Sequence, residues 1–106
     1  MFTLAQALPL AKQLEPKLSS VGYHLALGGS LLYKGTSEHD IDFFIYPHRE
    51  NKEDVEQCLA KLSSLLRSEG YLLAEDRPQY MELDYIPTTR IVDNEELIVD
   101  FFLLTR

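Results

Sequence analysis

The sequence has little cysteine, no tryptophan and no long apolar run. A single cysteine, Cys58, excludes an internal disulfide framework and a cysteine-rich zinc module. No apolar run approaches the roughly 18–20 residues that cross a bilayer. No basic residue precedes the apolar part of residues 1–10, as a signal peptide would require. These absences predict a cytoplasmic location without a membrane partner.

Basic residues are also scarce, with 10 Lys and Arg against 17 Asp and Glu and a formal charge of -7. Affinity for a phosphate backbone comes mainly from clustered Lys and Arg. Nucleic acid is therefore an unlikely partner by charge, although Arg49, Lys52 and Lys61 leave open a small basic patch beside the second predicted helix.

The length of 106 residues and a hydrophobic content of 45% predict one compact domain, residues 1–106. The first helix is predicted to begin at Thr3 as N-cap and to end near Gly22. Its apolar stripe is Leu10, Leu14, Leu18 and Val21. Because proline removes a helical hydrogen bond, Pro9 and Pro16 predict two short pieces or a kink near Glu15.

Two strands are predicted next, the first over residues 23–27 and the second over residues 40–46, stopped by Pro47. A second helix follows, with Asn51 as cap, Asp54 near its positive end and Gly70 at its close. The buried stripe of this helix is predicted to contain Val55, Leu59, Leu62 and Leu66, with Cys58 and Leu65 beside it.

Residues 71–74 predict a further strand, of edge type, and residues 80–104 predict strands separated by turns. The turn signals are Pro87 and the acidic segment 93–96, after which the chain returns as a strand over residues 97–104. The order of helices and strands predicts an α+β fold, a mixed β-sheet with helices packed on it.

Three aspartates form the main candidate site. Asp40 and Asp42 stand two residues apart on a predicted strand, so their carboxylates share one face about 6–7 Å apart. Asp100 interrupts a strongly apolar strand, where an unpaired carboxylate is costly. A hard divalent cation is the usual means of holding such like charges together. The pattern predicts a Mg²⁺ site.

Gly28, Gly29 and Ser30 end the first strand and supply a candidate anion site. Glycines let the backbone approach a phosphate, while amides and the Ser30 hydroxyl donate hydrogen bonds to it. Lys34 is the only cation between Val21 and His48 and is the predicted partner of a triphosphate. The nine residues between Ser30 and Asp40 leave room for a short helical turn or a loop.

The segment Leu27-Gly28-Gly29-Ser30, nine residues, and then Asp40-Ile41-Asp42-Phe43 resembles the signature of the polymerase-β-like nucleotidyltransferase superfamily. Asp100 in its apolar strand matches the third acid of that family. The resemblance covers residues 23–46 well and residues 97–104 moderately. It implies a nucleotidyltransferase-like fold and transfer of a nucleoside monophosphate from an NTP such as ATP to a hydroxyl acceptor.

The resemblance also implies roles for single residues. Asp40, Asp42 and Asp100 would be the catalytic and metal-binding residues, holding two Mg²⁺ ions, with Mn²⁺ as an alternative. Gly28, Gly29, Ser30 and Lys34 would bind the nucleotide, with Gly29 and Ser30 on the β,γ-phosphates. Asp100 would also help to deprotonate the acceptor, a small-molecule or protein hydroxyl.

The chain departs from the family in two places. Many relatives carry Arg-Gly shortly after the Gly-Ser pair, whereas this chain has Lys34-Gly35, one residue further on. Most active members continue into a helical domain that binds base and acceptor. The chain looks like the small stand-alone nucleotidyltransferases of prokaryotes and their viruses, some of which are antitoxins paired with a helical toxin.

These departures leave two functions open. The first is the enzyme, and the alternative is a weakly active or inactive binding module, such as an antitoxin or regulatory partner. In either case we expect a homodimer or a protein partner such as a toxin to complete the acceptor side.

Other chemically interesting residues favour ordinary roles. Cys58 is predicted to be a core residue, His39 a solvent-exposed spacer and Asp84 a partly exposed strand residue rather than a fourth ligand. Tyr33, Tyr80 and Tyr85 could stack on a base, but tyrosines of a small α+β domain usually serve packing.

Overall fold

The computed structural model describes residues 1–74, 79–80 and 83–104. Its elements, in chain order, are β1 (Phe2–Thr3), α1 (Leu4–Ser20), β2 (Tyr23–Gly28), α2 (Gly29–Lys34), β3 (Thr36–Ser37), β4 (Ile41–Pro47), α3 (Val55–Ser68), β5 (Leu72–Leu73), β6 (Gln79–Tyr80), β7 (Leu83–Val92) and β8 (Glu95–Leu103). No helix among these residues is long and apolar enough to span a membrane.

The main sheet has the strand order β2-β4-β8-β7-β5, and β6 pairs with β7 outside this path. Strands β4 and β8 run parallel, and the other pairs of this sheet are antiparallel. Strands β1 and β3 form a separate two-stranded sheet, which the sequence pattern did not predict. The predicted α+β fold with a mixed sheet is confirmed.

Helix α1 is continuous over Leu4–Ser20, so the prediction of two pieces is wrong. Pro9 and Pro16 lie seven residues apart on its exposed side, where water can hydrate the carbonyl groups that each proline leaves unpaired. The predicted N-cap is confirmed, and the Thr3 amide donates to Gln6 Oε1 at 2.8 Å.

Helix α3 begins at Val55 and is capped by Asp54, not by Asn51 as predicted. The Gln57 amide donates to Asp54 Oδ1 at 2.8 Å, which satisfies an amide of the first turn. Asn51 instead donates from Nδ2 to the Gly22 carbonyl at 2.9 Å. Asn51 therefore joins the loop before α3 to the loop after α1.

The core lies between one face of the sheet and the helices. Alternate residues of β4, namely Ile41, Phe43 and Ile45, are buried with apolar residues of α1 and α3. From α1 the core takes Ala7, Leu10, Leu14 and Leu18, and from α3 it takes Cys58, Leu62 and Leu66. The predicted stripe of α3 is partly wrong, because Val55 is exposed and Leu59 only partly buried.

The intervening residues of β4, namely Asp42, Phe44 and Tyr46, project from the opposite face. Because the buried residues of both long helices belong to the core on the first face, the second face carries no described helix. It is called the open face below.

Strands β7 and β8 form a hairpin with Asp93 and Asn94 at its tip, both at positive φ. The turn predicted over residues 93–96 is thus confirmed in place but is shorter than predicted, because Glu95 and Glu96 belong to β8. Pro87 does not mark a turn, which corrects the prediction, and lies inside β7. Its carbonyl accepts from the Ala74 amide at 3.2 Å, where the short edge strand β5 ends. The backbone groups of Pro87 thus face the edge, where proline is tolerated. The predicted edge position of β5 is confirmed.

Candidate metal centre

The structure brings together the three aspartates that the sequence pattern singled out. Asp42 on β4 and Asp100 on β8 are direct partners in the parallel ladder, and Asp40 lies one residue before β4 rather than within a strand. One carboxylate oxygen from each of the three lies within 4.8 Å of the others. This spacing lets all three side chains contribute oxygen ligands to a divalent-cation site.

The cluster is electrostatically strained in the absence of a cation. Asp42 Oδ1 is buried and has no hydrogen-bond partner among the described residues. Burial, followed by the charge of Asp40, raises the pKa of Asp42 to about 6. Asp100 is 5% exposed, and burial followed by a hydrogen bond with Asp40 raises its pKa. Oxygen donors with an unpartnered buried oxygen fit a hard divalent ion such as Mg²⁺.

Two glycines let β2 end directly against this cluster. Gly28 pairs with Asp42 in the β2–β4 ladder, and a Cβ atom on Gly28 would lie 2.7 Å from Phe44 Cδ2. Gly29 has a φ of +66°, and a Cβ atom on it would lie 3.2 Å from Asp42 Cγ. Gly29 is therefore required for the close approach of the backbone to Asp42, and Gly28 is required for close packing of the backbone against the Phe44 ring.

Ser30 and Lys34 lie on α2 and are exposed. Because they are four residues apart, they share one face of this short helix. Neither lines the cavities that contain the aspartates, whereas Gly29 lines a cavity of about 320 Å³ together with Asp40, Asp42 and Asp100. The structure thus brings Gly29 to the aspartates, whereas Ser30 and Lys34 lie outside the linings of both cavities.

An aromatic row lies on the open face beside the aspartates. Phe44, Phe102 and Tyr85 occupy neighbouring strands, with ring centroids 5.4 Å apart for the first pair and 5.0 Å for the second. Both pairs are direct register partners. This row stands two residues along the strands from Asp42 and Asp100, about 7 Å away.

Tyr85 is a site residue that the sequence pattern named only as a stacking candidate. It lies diagonally across the β7–β8 ladder from Asp100, within reach of a long side chain. Burial, followed by a hydrogen bond to Asp100, raises the pKa of the Tyr85 hydroxyl. The hairpin tip at Asp93 and Asn94 is the signal that could have predicted this register.

The other residues considered in the sequence analysis do not line the candidate metal centre in the described part of the chain. Cys58 is 3% exposed and belongs to the core, as predicted. Asp84 lies on the opposite face of β7 from Tyr85, where its charge acts on Cys58. His39 is exposed, as predicted, and Tyr33 is 86% exposed. The side chain of Tyr80 lies outside the described part of the chain.

No protein-family model and no curated protein matches the sequence. Among solved structures, the chain is similar to Cid1 poly(U) polymerase with Mg 3′-dATP bound, with a TM-score of 0.67 and 16% identity over 93% of this chain. A structure of Cid1 as an RNA terminal uridylyl transferase gives a TM-score of 0.66 and 16% identity over 93% of this chain. The chain is also similar to a cytoplasmic RNA terminal U-transferase, with a TM-score of 0.62 and 14% identity over 93% of this chain.

These likenesses confirm the predicted nucleotidyltransferase-like fold. The chain spans 30% of the length of both Cid1 structures and 29% of the U-transferase.

Proposed function

We propose that the chain is a Mg²⁺-dependent nucleotidyltransferase that moves a nucleoside monophosphate from an NTP to a hydroxyl of a small molecule or protein. The observation that carries this proposal is the cluster of three carboxylates within 4.8 Å, with a buried oxygen of Asp42 unpartnered among the described residues. The structural neighbours add support, because Cid1 has been solved with MgATP and with MgGTP bound.

Asp40, Asp42 and Asp100 would hold the metal, as two Mg²⁺ ions or alternatively Mn²⁺. When bound, the metal would neutralise charge on the phosphates and stabilise the charge that develops during transfer. The cluster supplies the oxygen ligands that such ions prefer.

The chain's own residues would position the two substrates. The backbone at Gly28 and Gly29 would lie against the triphosphate, with Ser30 donating a hydrogen bond and Lys34 supplying positive charge. Asp100 would accept the proton of the acceptor hydroxyl, whose oxygen then forms a bond to the α-phosphorus. The bond from the α-phosphorus to the bridging oxygen breaks, and pyrophosphate leaves.

The acceptor is proposed to differ from the RNA named for the structural neighbours. The formal charge of -7 works against docking of a polyanionic strand. That a second copy or a protein partner such as a toxin completes the acceptor side stays a prediction, as does the cytoplasmic location.

Transfer of label from NTPs labelled at the α-phosphorus tests this proposal. We expect Mg²⁺-dependent labelling of an acceptor by the wild type and by Asp93→Asn, a control at the exposed hairpin tip. We expect loss of labelling by at least about a hundredfold in Asp42→Asn. Labelling that survives Asp42→Asn would refute the assignment. Tight MgATP binding without labelling of any acceptor would favour the binding module.

A further inference from the structure

Two adjoining cavities share Asp40, Tyr85 and Asp100 in their linings. The cavity of about 320 Å³ also contains Gly29 and Asp42. The other cavity, of about 580 Å³, extends along the open face toward β5. We call the larger cavity the side groove and define it by Leu72, Tyr85, Thr89, Glu96 and Ile98.

Two adjoining cavities at one carboxylate cluster match a reaction with two substrates. The nucleotide belongs in the smaller cavity, because that cavity contains Gly29 and all three aspartates, and glycine lets a phosphate approach the backbone beside the proposed metal ligands. The side groove is left for the second substrate, and it reaches Asp100, the proposed proton acceptor. This assignment rests on the function proposed above.

We propose that the side groove binds the acceptor, and that the acceptor is a small hydroxyl compound with an apolar body and a positive charge. The volume of about 580 Å³ lies within the range of cavities that bind small molecules. Tyr85, which lines both cavities, would then lie beside both the acceptor and the nucleotide.

The lining of the side groove favours an apolar body. Ile98 is 40% exposed and Leu72 is 62% exposed, although both are large apolar side chains. Pro87 and the ring of Tyr85 continue this apolar surface toward Asp100. Contact with an apolar ligand would remove this surface from water, which is favourable in proportion to the area covered.

The charges of the described residues around the side groove favour a cationic acceptor over an anionic one. Glu96 lies four residues along β8 from Asp100, about 13 Å away, and no described Lys or Arg lines the groove. Arg90 on β7 is turned to the other face, where it lies over the Tyr71 ring and donates to the Glu69 carbonyl. A positive group on the acceptor would be attracted to Glu96, whereas an RNA backbone would find no Lys or Arg among the described lining residues.

Two matched probes test this assignment by NMR chemical-shift mapping on the whole chain, in the presence of Mg²⁺. Tyramine and 4-hydroxyphenylacetate share a phenol hydroxyl and differ in the sign of their charge. We expect tyramine to shift the amides of Thr89 and Ile98 and to bind about threefold to tenfold more tightly than 4-hydroxyphenylacetate. Equal binding, binding at another surface or binding of an oligouridine in place of tyramine would overturn the proposal.

Variants separate the apolar and the charged contributions. Ile98→Arg should abolish the tyramine shifts, while Leu8→Arg, at 43% exposure on α1, should leave them unchanged. Glu96→Gln should remove the preference for tyramine over 4-hydroxyphenylacetate. The control Glu95→Gln should keep it, because Glu95 accepts from Gln6 on the helical side. Tyramine shifts that survive Ile98→Arg would overturn the assignment.

These measurements need no turnover, so they can fail independently of the proposed function. Tyramine binding in the side groove without nucleotidyl transfer would retain the groove as a ligand site and refute the enzyme. Transfer to an acceptor that binds outside the side groove would refute the assignment and retain the enzyme.

Discussion

Gly29 lies directly against Asp42. A Cβ atom on Gly29 would stand 3.3 Å from Asp42 Cβ and 3.2 Å from its Cγ, and φ of Gly29 is +66°. The position of the proposed metal ligand therefore depends on the absence of a side chain at residue 29. The same contact places the backbone of the glycine pair beside the carboxylate cluster.

Gly29→Ala should weaken metal binding as well as stability. Gly35→Ala is the matched control, because Gly35 also has a positive φ, +79°, but has no other atoms within 4 Å of a built Cβ. Backbone strain should cost each variant about 1–2 kcal/mol of unfolding free energy, and Gly29→Ala should lose more than Gly35→Ala because its added Cβ also overlaps Asp42. Urea unfolding with and without Mg²⁺ should show stabilisation of Gly35→Ala as for the wild type. If Mg²⁺ stabilised Gly29→Ala as much as the wild type, the proposed dependence of metal binding on the contact between Gly29 and Asp42 would be contradicted.

Stability of the metal-free protein should fall as the pH rises from about 4 to about 7. Asp42 has its folded-state pKa raised from 3.8 to about 6, and the pKa of Asp100 is raised as well. The folded state thus binds more protons than the unfolded state in this window, and their loss weakens it. Thermal unfolding in a chelator should give a higher Tm near pH 5 than near pH 7.

Saturating Mg²⁺ should reverse much of that loss near pH 7, because the ion neutralises the carboxylates and binds the folded state. Its effect should be smaller near pH 5, where protons compete for the same oxygens. A metal-free Tm that rises steadily with pH across this range would argue against the electrostatic account.

Asp100→Asn should stabilise the metal-free protein near pH 7 while abolishing stabilisation by Mg²⁺. Removing one of three clustered charges relieves repulsion, and we expect a gain of about 1–3 kcal/mol. Urea unfolding measures the gain, with Asp93→Asn as the control that should leave stability nearly unchanged. Destabilisation of Asp100→Asn in chelator would mean that the carboxylate serves the fold rather than a ligand.

Asp54→Ala should cost about 1 kcal/mol of unfolding free energy, because Asp54 caps α3 by accepting from the Gln57 amide. Glu56→Ala, an exposed change in the first turn of the same helix, should cost only a few tenths of a kcal/mol. Urea denaturation of both variants compares them directly. A cost for Asp54→Ala no larger than that for Glu56→Ala would show that the cap contributes little.

The cluster of three carboxylates could be predicted because its pattern is local. The two-residue spacing of Asp40 and Asp42 predicted that their carboxylates would lie close together, although Asp40 lies just before β4, and the burial of Asp100 follows from its apolar neighbours. The direct pairing of Asp42 with Asp100 could not be derived, because it depends on β8 lying parallel to β4 across a long stretch of chain.

The elements that the sequence mispredicted depend on tertiary context. Pro9 and Pro16 interrupt hydrogen bonds on a solvent-facing side, where the interruption costs less than in a buried turn. Pro87 is a residue type typical of turns, but it lies within β7, next to the two-residue edge strand β5. Asn51 is a residue type that often caps helices, but the side chain of Asp54, three residues later, accepts the hydrogen bond from the first turn of α3.

The side groove could not be predicted from the sequence for a similar reason. The groove combines residues from three different strands, namely Leu72, Tyr85 and Ile98. In the sequence, each of them has the pattern of an ordinary apolar strand residue. Only the pairing of β5 with β7, and of β7 with β8, brings them together.

A Mn²⁺ titration followed by electron paramagnetic resonance tests the central claim most directly, because it counts free and bound ion without requiring any substrate. We expect saturable binding to the wild type and to Asp93→Asn, and affinity reduced by at least about tenfold in Asp42→Asn and Asp100→Asn. The same affinity in all four proteins would contradict the assignment of Asp40, Asp42 and Asp100 as a metal centre.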